Sequence, residues 1–232
     1  IVAPMTHLPY FLPDDWPDGS TPPAREPTAR ERPYVAAAGR LVKMKGFQQL
    51  ISVMKYLPQV DLRLAGTGPY ESTLRAQAEG LSNVRFEGLL SGPDLSRLFH
   101  GARAVVVPSL FPETFGYVVL ESFAAGTPVV VHEGGGAIHE TGVLSGGGLG
   151  YRTEAELLVA IRRIVHDDRL RDSLAEAGMA KRRGEWSESA HLARYLDLIH
   201  EIQERGRART PHGPAPKGES TTDRRSVRSR AG

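Results

Sequence analysis

There is no cysteine anywhere in the 232 residues, so disulfide staples and thiolate metal sites are excluded, as suits a reducing compartment. Long apolar runs are also missing. None approaches the roughly 20 residues of a membrane-spanning helix, and the opening residues IVAPMTHLPYF lack the charged start of a secretory leader. No Asp-x-Asp run and no His-x-x-x-His pair occurs, so the expected chemistry needs no metal and no cofactor. The dinucleotide fingerprint G-x-G-x-x-G is broken as well: Gly66 and Gly68 are present, but Glu71 stands at the third position, which counts against a nicotinamide oxidoreductase. No internal repeat is present. The first residue is Ile, which leads us to expect that a segment precedes it.

Charge of one sign is scarce in the body and abundant at the end. The chain carries 29 Lys or Arg against 27 Asp or Glu. From Arg205 onward there are eight basic and two acidic residues, a net of +6, leaving 21 against 25, or −4, for the rest. Segment 206–232 has almost no large apolar residue and is expected to be disordered. A nucleic-acid-binding domain would carry its basic residues on folded elements, so no nucleic-acid partner is expected. Anionic lipid is a surface such a tail can touch, but such a charge run reads first as a solvated terminus; the expected setting is cytoplasmic, with peripheral membrane contact left open.

Between the ends, short apolar runs alternate with helical patterns. Strands are predicted over 34–38, 61–65, 84–87, 104–107, 128–131 and 148–151, with helices over 47–57, 70–79, 94–101, 115–125, 153–166, 169–182 and from 187 to about 205. This βα alternation predicts an α/β fold, a Rossmann-like, doubly wound parallel sheet. Ligands of such sheets bind beyond the carboxyl ends of the strands, at the switch point. Residues 1–33 hold eight prolines and no periodicity, and read as a linker. The last helix carries Leu192, Tyr195, Leu196, Ile199 and Ile202 as one apolar stripe.

The most informative stretch is Val105 to Val131, VVVPSLFPETFGYVVLESFAAGTPVVV. Gly116 falls where a loop becomes a helix, so free backbone N–H groups and the positive helix end invite an anion such as phosphate. Glu113 and Glu121 on either side repel phosphate but accept hydrogen bonds from hydroxyl groups. A ligand with both phosphates and many hydroxyls is a nucleotide-sugar. After the first strand, Gly39-Arg40-Leu41-Val42-Lys43-Met44-Lys45-Gly46 brings Arg40 and Lys45 ahead of a helix, where two cations suit a diphosphate. Gly134-Gly135-Gly136 can supply further amides.

These segments together resemble the donor-binding signature of retaining GT-B glycosyltransferases, family 4: G-R-L followed by K-G, the G-x-G-P loop, and the paired glutamates around Phe-Gly before A-A-G-T-P-V. The resemblance spans about 34–168. It implies that Arg40 and Lys45 hold the donor's phosphates and neutralise the leaving group, and that Glu113 positions the sugar. It assigns Glu121 to the ribose hydroxyls and the Phe115–Gly116–Tyr117–Val118 backbone to sugar and phosphate oxygens, with Gly39, Gly66 and Gly68 bordering the donor. The family's G-G-x-P-E segment is matched only as GGGAIHET, and no role passes to His132, His139 or Glu140.

The expected organisation is a linker over 1–33, a donor-binding domain over 34–184, a crossing helix over 185–205 and the tail. This is one half of a GT-B fold, using a UDP- or GDP-sugar as substrate with an unidentified acceptor. The missing amino-terminal domain is expected to pack on the last helix, so this chain alone would transfer nothing. A non-catalytic nucleotide-sugar-binding module and a sugar-nucleotide epimerase or phosphorylase of the same architecture remain open. A glycosidase pair, which needs two carboxyls about 5–9 Å apart across one bond, is disfavoured by Glu121 lying within a helix.

Overall fold

The computed structural model of the chain describes Thr6, residues 8–17 and residues 32–209. The chain divides into two units, Ile1–Tyr195 and Leu196–Gly232. Of the second, the described part is the end of one long helix.

The first unit is built on six strands: β1 (Tyr34–Ala38), β2 (Asp61–Ala65), β3 (Val84–Gly88), β4 (Val105–Val107), β5 (Val129–His132) and β6 (Gly148–Tyr151). All pair in parallel, in the order β3-β2-β1-β4-β5-β6. The sheet grows from β1 to β3 in one direction, then returns across β1 to β4 and grows in the other. The β1/β4 boundary is therefore the switch point at which such sheets bind ligands.

Helices cover both faces: α1 (Phe47–Met54), α2 (Glu71–Gln77), α3 (Gly92–His100), α4 (Tyr117–Ala124), α5 (Ala137–His139, continuing as a π turn through Glu140–Leu144), α6 (Glu154–His166), α7 (Asp168–Gly184) and α8 (Glu188–Arg209). Strand side chains alternate between two buried layers, as a two-residue period requires. Val35 and Ala37 of β1, Val106 of β4 and Val130 of β5 join Leu50, Ile51, Ile161 and Ile164 on one side. Ala36, Val105, Val107, Val129 and Val131 join Phe99, Val119, Phe123 and Trp186 on the other. Ile51 and Leu64 are wholly buried, and truncating either to Ala is expected to cost about 2–5 kcal/mol.

Boundaries differ from the sequence reading where one residue decides them. α1 ends at Met54 rather than 57, because Pro58 follows and disfavours helical backbone just before it. The residues between close tighter turns, with Tyr56 N–H donating to Val53 O and Leu57 N–H to Met54 O, both at 3.0 Å. α3 begins two residues earlier than expected, at Gly92, with Pro93 in its first turn. The continuation of α5 into Glu140–Leu144 carried no legible signal.

Residues 8–17 contain no helix and only one bridge, Leu12 with Ser187, yet they are packed as a strap against the start of α8. Leu12 is buried. Arg182 donates to Pro13 O at 2.8 Å. The rest of the expected linker, 1–5, 7 and 18–31, lies outside the described residues, as does the tail from 210; α8 runs on to Arg209, past the expected 205. Among the described residues no helix is long and apolar enough to cross a membrane.

Candidate functional site

Beyond the carboxyl ends of β1, β2 and β3, and against α4, lies a cavity of about 540 Å³. Its wall takes in Gly39, Arg40, Gly66, Gly68, Val118 and Glu121, all singled out from the sequence, together with Thr67, Pro69, Leu89, Leu90 and Leu95. Lys45, Glu113, Phe115, Gly116 and Tyr117 lie outside that wall.

The loop after β1 forms one side. Arg40 is exposed and, among the described residues, makes no ion pair. It leaves a backbone tied to the loop after β2: Gly39 N–H donates to Ala65 O at 3.1 Å and Leu41 N–H to Thr67 O at 2.9 Å. Gly66 must be glycine for this contact. Its φ is +130° and a Cβ there would run into the carbonyl of Gly39. The glycine is thus explained by backbone against backbone, without a ligand.

The loop after β4 lies outside the cavity wall and adjoins the loop after β1. Leu110 N–H donates to Met44 O at 2.9 Å, joining the two loops across the switch point. Lys45 Nζ donates to Glu113 Oε1 at 2.6 Å, with both side chains partly buried. Glu113 is held by its backbone as well: its N–H donates to Gly135 O at 2.8 Å and its O accepts from Ala137 N–H at 3.0 Å. The triple-glycine loop therefore fixes the position of Glu113.

α4 starts from Gly116, whose φ of 83° and ψ of 70° lie in the left-handed region. A Cβ there would collide with Ile138. No side chain caps the helix, and the N–H groups of Tyr117 and Val118 find no acceptor among the described residues. They remain for solvent or a ligand. Three helical positions further on from Val118, Glu121 turns into the cavity wall. It is half-buried and accepts no hydrogen bond from the described residues, and burial pushes its carboxyl above the ordinary carboxylate range. A diol donating two hydrogen bonds would stabilise the ionised form of such a group.

The arrangement puts an exposed guanidinium, an open helix start and a Lys–Glu pair on one side, and a desolvated carboxylate in a largely apolar wall on the other. The first set suits a diphosphate and the second a sugar diol. Among the described residues no group of three or more His, Asp or Glu is placed to hold a metal ion.

Sequence reasoning missed three parts of this rim. Leu89, Leu90 and Leu95 follow β3 with no motif to mark them. The half-exposed Tyr10 packs on Phe115 and Tyr117, with ring centroids 5.3 and 5.6 Å apart, and a proline-rich stretch gives no sign of that contact. The grip of the 134–136 loop on Glu113 was readable only as a glycine run.

A model of the family described as Glycosyl transferases group 1 matches residues 21–181. The lipopolysaccharide core biosynthesis glycosyltransferase LpsE of Rhizobium meliloti is 37% identical over 185 residues, 76% of this chain and 52% of that protein. A GDP-mannose-dependent monoacylated alpha-(1-6)-phosphatidylinositol monomannoside mannosyltransferase of Corynebacterium glutamicum is 33% identical, over 67% of this chain and 44% of its own length. The chain thus spans about half the length of these relatives.

Among solved structures, Anabaena HepE in complex with UDP and glucose superposes with a TM-score of 0.67 at 23% identity, covering 73% of this chain and 48% of that one. The C-terminal domain of a group 1 glycosyl transferase family protein, LpcC of Francisella tularensis, gives 0.56 at 22% identity, covering 64% of this chain and 83% of that one. At such identities the likeness is one of fold.

Proposed function

The chain belongs to the Glycosyl transferases group 1 family, and on that premise we propose that it is the donor-binding, carboxy-terminal half of a retaining GT-B glycosyltransferase of family 4. The intact enzyme moves a sugar from a nucleoside-diphosphate carrier to a hydroxyl acceptor. The observation that carries this reading is the juxtaposition, at the β1/β4 switch point, of exposed Arg40, the uncapped start of α4 and the Lys45–Glu113 pair beside a cavity walled by Glu121. Support for a half-enzyme comes from LpcC, where the matching body is a C-terminal domain, and from relatives about twice as long. HepE's complexes with UDP and UDP-glucose and the GDP-mannose dependence of the corynebacterial relative support a UDP- or GDP-sugar donor.

In this reading the donor's diphosphate lies against the N–H groups of Tyr117 and Val118, with Arg40 and Lys45 beside it. The ribose hydroxyls donate to Glu121, and Glu113 positions the sugar. During transfer the bond between the anomeric carbon and the phosphate oxygen breaks, and a bond to the acceptor oxygen forms on the same face. The acceptor's proton passes to the departing phosphate oxygen. Negative charge grows on the diphosphate as it leaves, so the preorganised cations and amides bind the transition state more tightly than the donor. No protein nucleophile is required.

The acceptor pocket belongs to an amino-terminal domain that packs on α8, where Leu192 and Tyr195 are 46% and 47% exposed. This chain by itself binds donor weakly and transfers nothing. A cytoplasmic setting with peripheral membrane contact through the basic tail completes the proposal.

The test is calorimetric titration of the full chain with UDP, GDP, ADP and their common sugar conjugates, beside Arg40→Ala. Saturable binding of one nucleotide that the substitution weakens at least tenfold supports the reading and names the base. Absence of binding by all of them sinks the claim that this half holds the donor unaided.

A further inference from the structure

The strap over residues 8–17 reaches the candidate site at one point, Tyr10. Its backbone is held on both sides of that residue. His191 Nδ1 lies 2.8 Å from Pro9 O, and Leu12 N–H donates to Trp186 O at 3.3 Å. Side chains alternate along it. Phe11 packs on the His191 ring at 4.6 Å, Leu12 is buried, and Tyr10 turns to the loop at the start of α4.

There it meets two rings that flank Gly116: Phe115 at 5.3 Å and 58°, and Tyr117 at 5.6 Å and 49°. Those two also meet each other edge-on at 6.0 Å and 75°. The three rings enclose the one residue whose left-handed backbone turns the first amides of α4 outward. Glycine has the largest conformational freedom of any residue, so neighbours must select that state, and both immediate neighbours lean on Tyr10. Phe115 has further support from Trp186 at 6.4 Å. Tyr117, 48% exposed, has Tyr10 as its partner besides Phe115.

We propose that Tyr10 is a positioning residue: by packing on Phe115 and Tyr117 it holds Gly116 in the conformation that presents the α4 amides to the donor's diphosphate. This rests on the donor-site reading above. Tyr10 is itself 52% exposed, so it adds little to the core and its effect is local. The ring carries the role and the hydroxyl none, because the contacts are between ring faces and edges.

The experiment compares the full chain with Tyr10→Ala, Tyr10→Phe and Tyr10→Leu. Amide hydrogen exchange is read first without ligand, over peptides covering 110–120 and over β1–β3 as reference. In Tyr10→Ala the amides of the first turn of α4 from Val119 on, the first of them bonded to Gly116 O at 2.9 Å, exchange roughly tenfold faster, the reference strands are unchanged, and Tyr10→Phe behaves as the parent. If Tyr10→Ala fails to fold, Tyr10→Leu carries the same comparison, since it keeps bulk but loses the aromatic edge contacts.

Titration with UDP and GDP then shows roughly tenfold weaker binding in Tyr10→Ala and parental binding in Tyr10→Phe. Unchanged exchange at Val119 and the rest of the first turn of α4 overturns the proposal, whatever happens to the melting temperature. Faster exchange throughout the chain overturns it too, since the role would then be merely structural. If the parent binds no nucleotide, the donor-site reading fails, and the exchange data alone decide whether Tyr10 sets the loop.

Discussion

Two helix starts in this molecule are built in opposite ways. At α8 the first amides are fully used. Asp14, 174 residues away, accepts from the N–H of Glu188 at 3.0 Å and of Ser189 at 3.3 Å. Ser187 accepts from Ala190 N–H at 3.2 Å, and Asp14 N–H donates in turn to the Glu188 carboxylate at 3.3 Å. This is a capping box whose two members come from opposite ends of the chain. At α4 nothing caps the helix, and the residue at the cap position is a glycine in a conformation that other residues avoid. The first arrangement closes a structure. The second leaves backbone amides unbonded among the described residues, at some cost to stability, at the switch point of the sheet. What separates a closed helix start from an open one here is where the amides go.

The comparison breaks most severely at the exposed cation of the cavity wall, Arg40. In the intact enzyme Arg40→Ala should remove about 3–4 kcal/mol of transition-state stabilisation, a hundredfold or more in kcat, with the melting temperature unchanged because the side chain is exposed. Steady-state kinetics beside a thermal melt checks both halves of that statement. Next comes Gly116→Ala. The new methyl meets Ile138 and the φ of +83° is unfavourable for it, so we expect a loss of about 1–3 kcal/mol in stability. Nucleotide affinity should fall with it, as measured by denaturant unfolding and titration.

At the closed terminus, Asp14→Ala should cost about 1 kcal/mol. That lowers the melting temperature by roughly 2–4 °C for a unit of this size, while leaving affinity within about twofold. A larger fall in affinity than in stability would mean that the strap serves the site more than the helix.

The smallest effect sharpens the contrast through pH. The folded pKa of Glu121 is raised above its ordinary value of 4.5. Its protonated form is therefore favoured by folding. That contribution to stability is full below the ordinary value and is lost as pH rises through the raised one. Glu121→Gln, neutral throughout, should be slightly more stable than the parent at neutral pH and should show a flatter stability profile across that window. It should also bind nucleotide more weakly, since the diol loses its anionic acceptor. Thermal melts from pH 4 to 8, with titrations at neutral pH, test the sign. A variant less stable than the parent at neutral pH would contradict the desolvation account.

The sheet was legible because its strands are short apolar runs set off by polar and glycine-bearing turns: the predicted bounds of β1, β2 and β6 agree with the observed ones. The rim residues that line the cavity were legible where glycines and charges interrupt apolar strands, as at Gly39-Arg40 and Gly66-Thr67-Gly68. The physical reason for Gly66 was not readable, since its close approach to Gly39 exists only after β1 and β2 pair. Tyr10 and Asp14 were hidden for a related reason. Each acts on a residue more than a hundred positions away, and neither periodicity nor turn chemistry carries information over that distance.

The clasp between Asp14 and Glu188 has a consequence in time. Residues 8–17 leave the ribosome ahead of the whole sheet, and their partners on α7 and α8 follow after it. At about 5–20 residues per second, the 174 residues between the two take roughly 9–35 s to make. For that interval the strap that carries Tyr10 and Leu12 has neither Trp186 nor Glu188 to hold it, and Phe115 and Tyr117 wait without a fixed brace. The growing chain is then a sheet with one rim unfinished, completed only when the strap meets the two last helices.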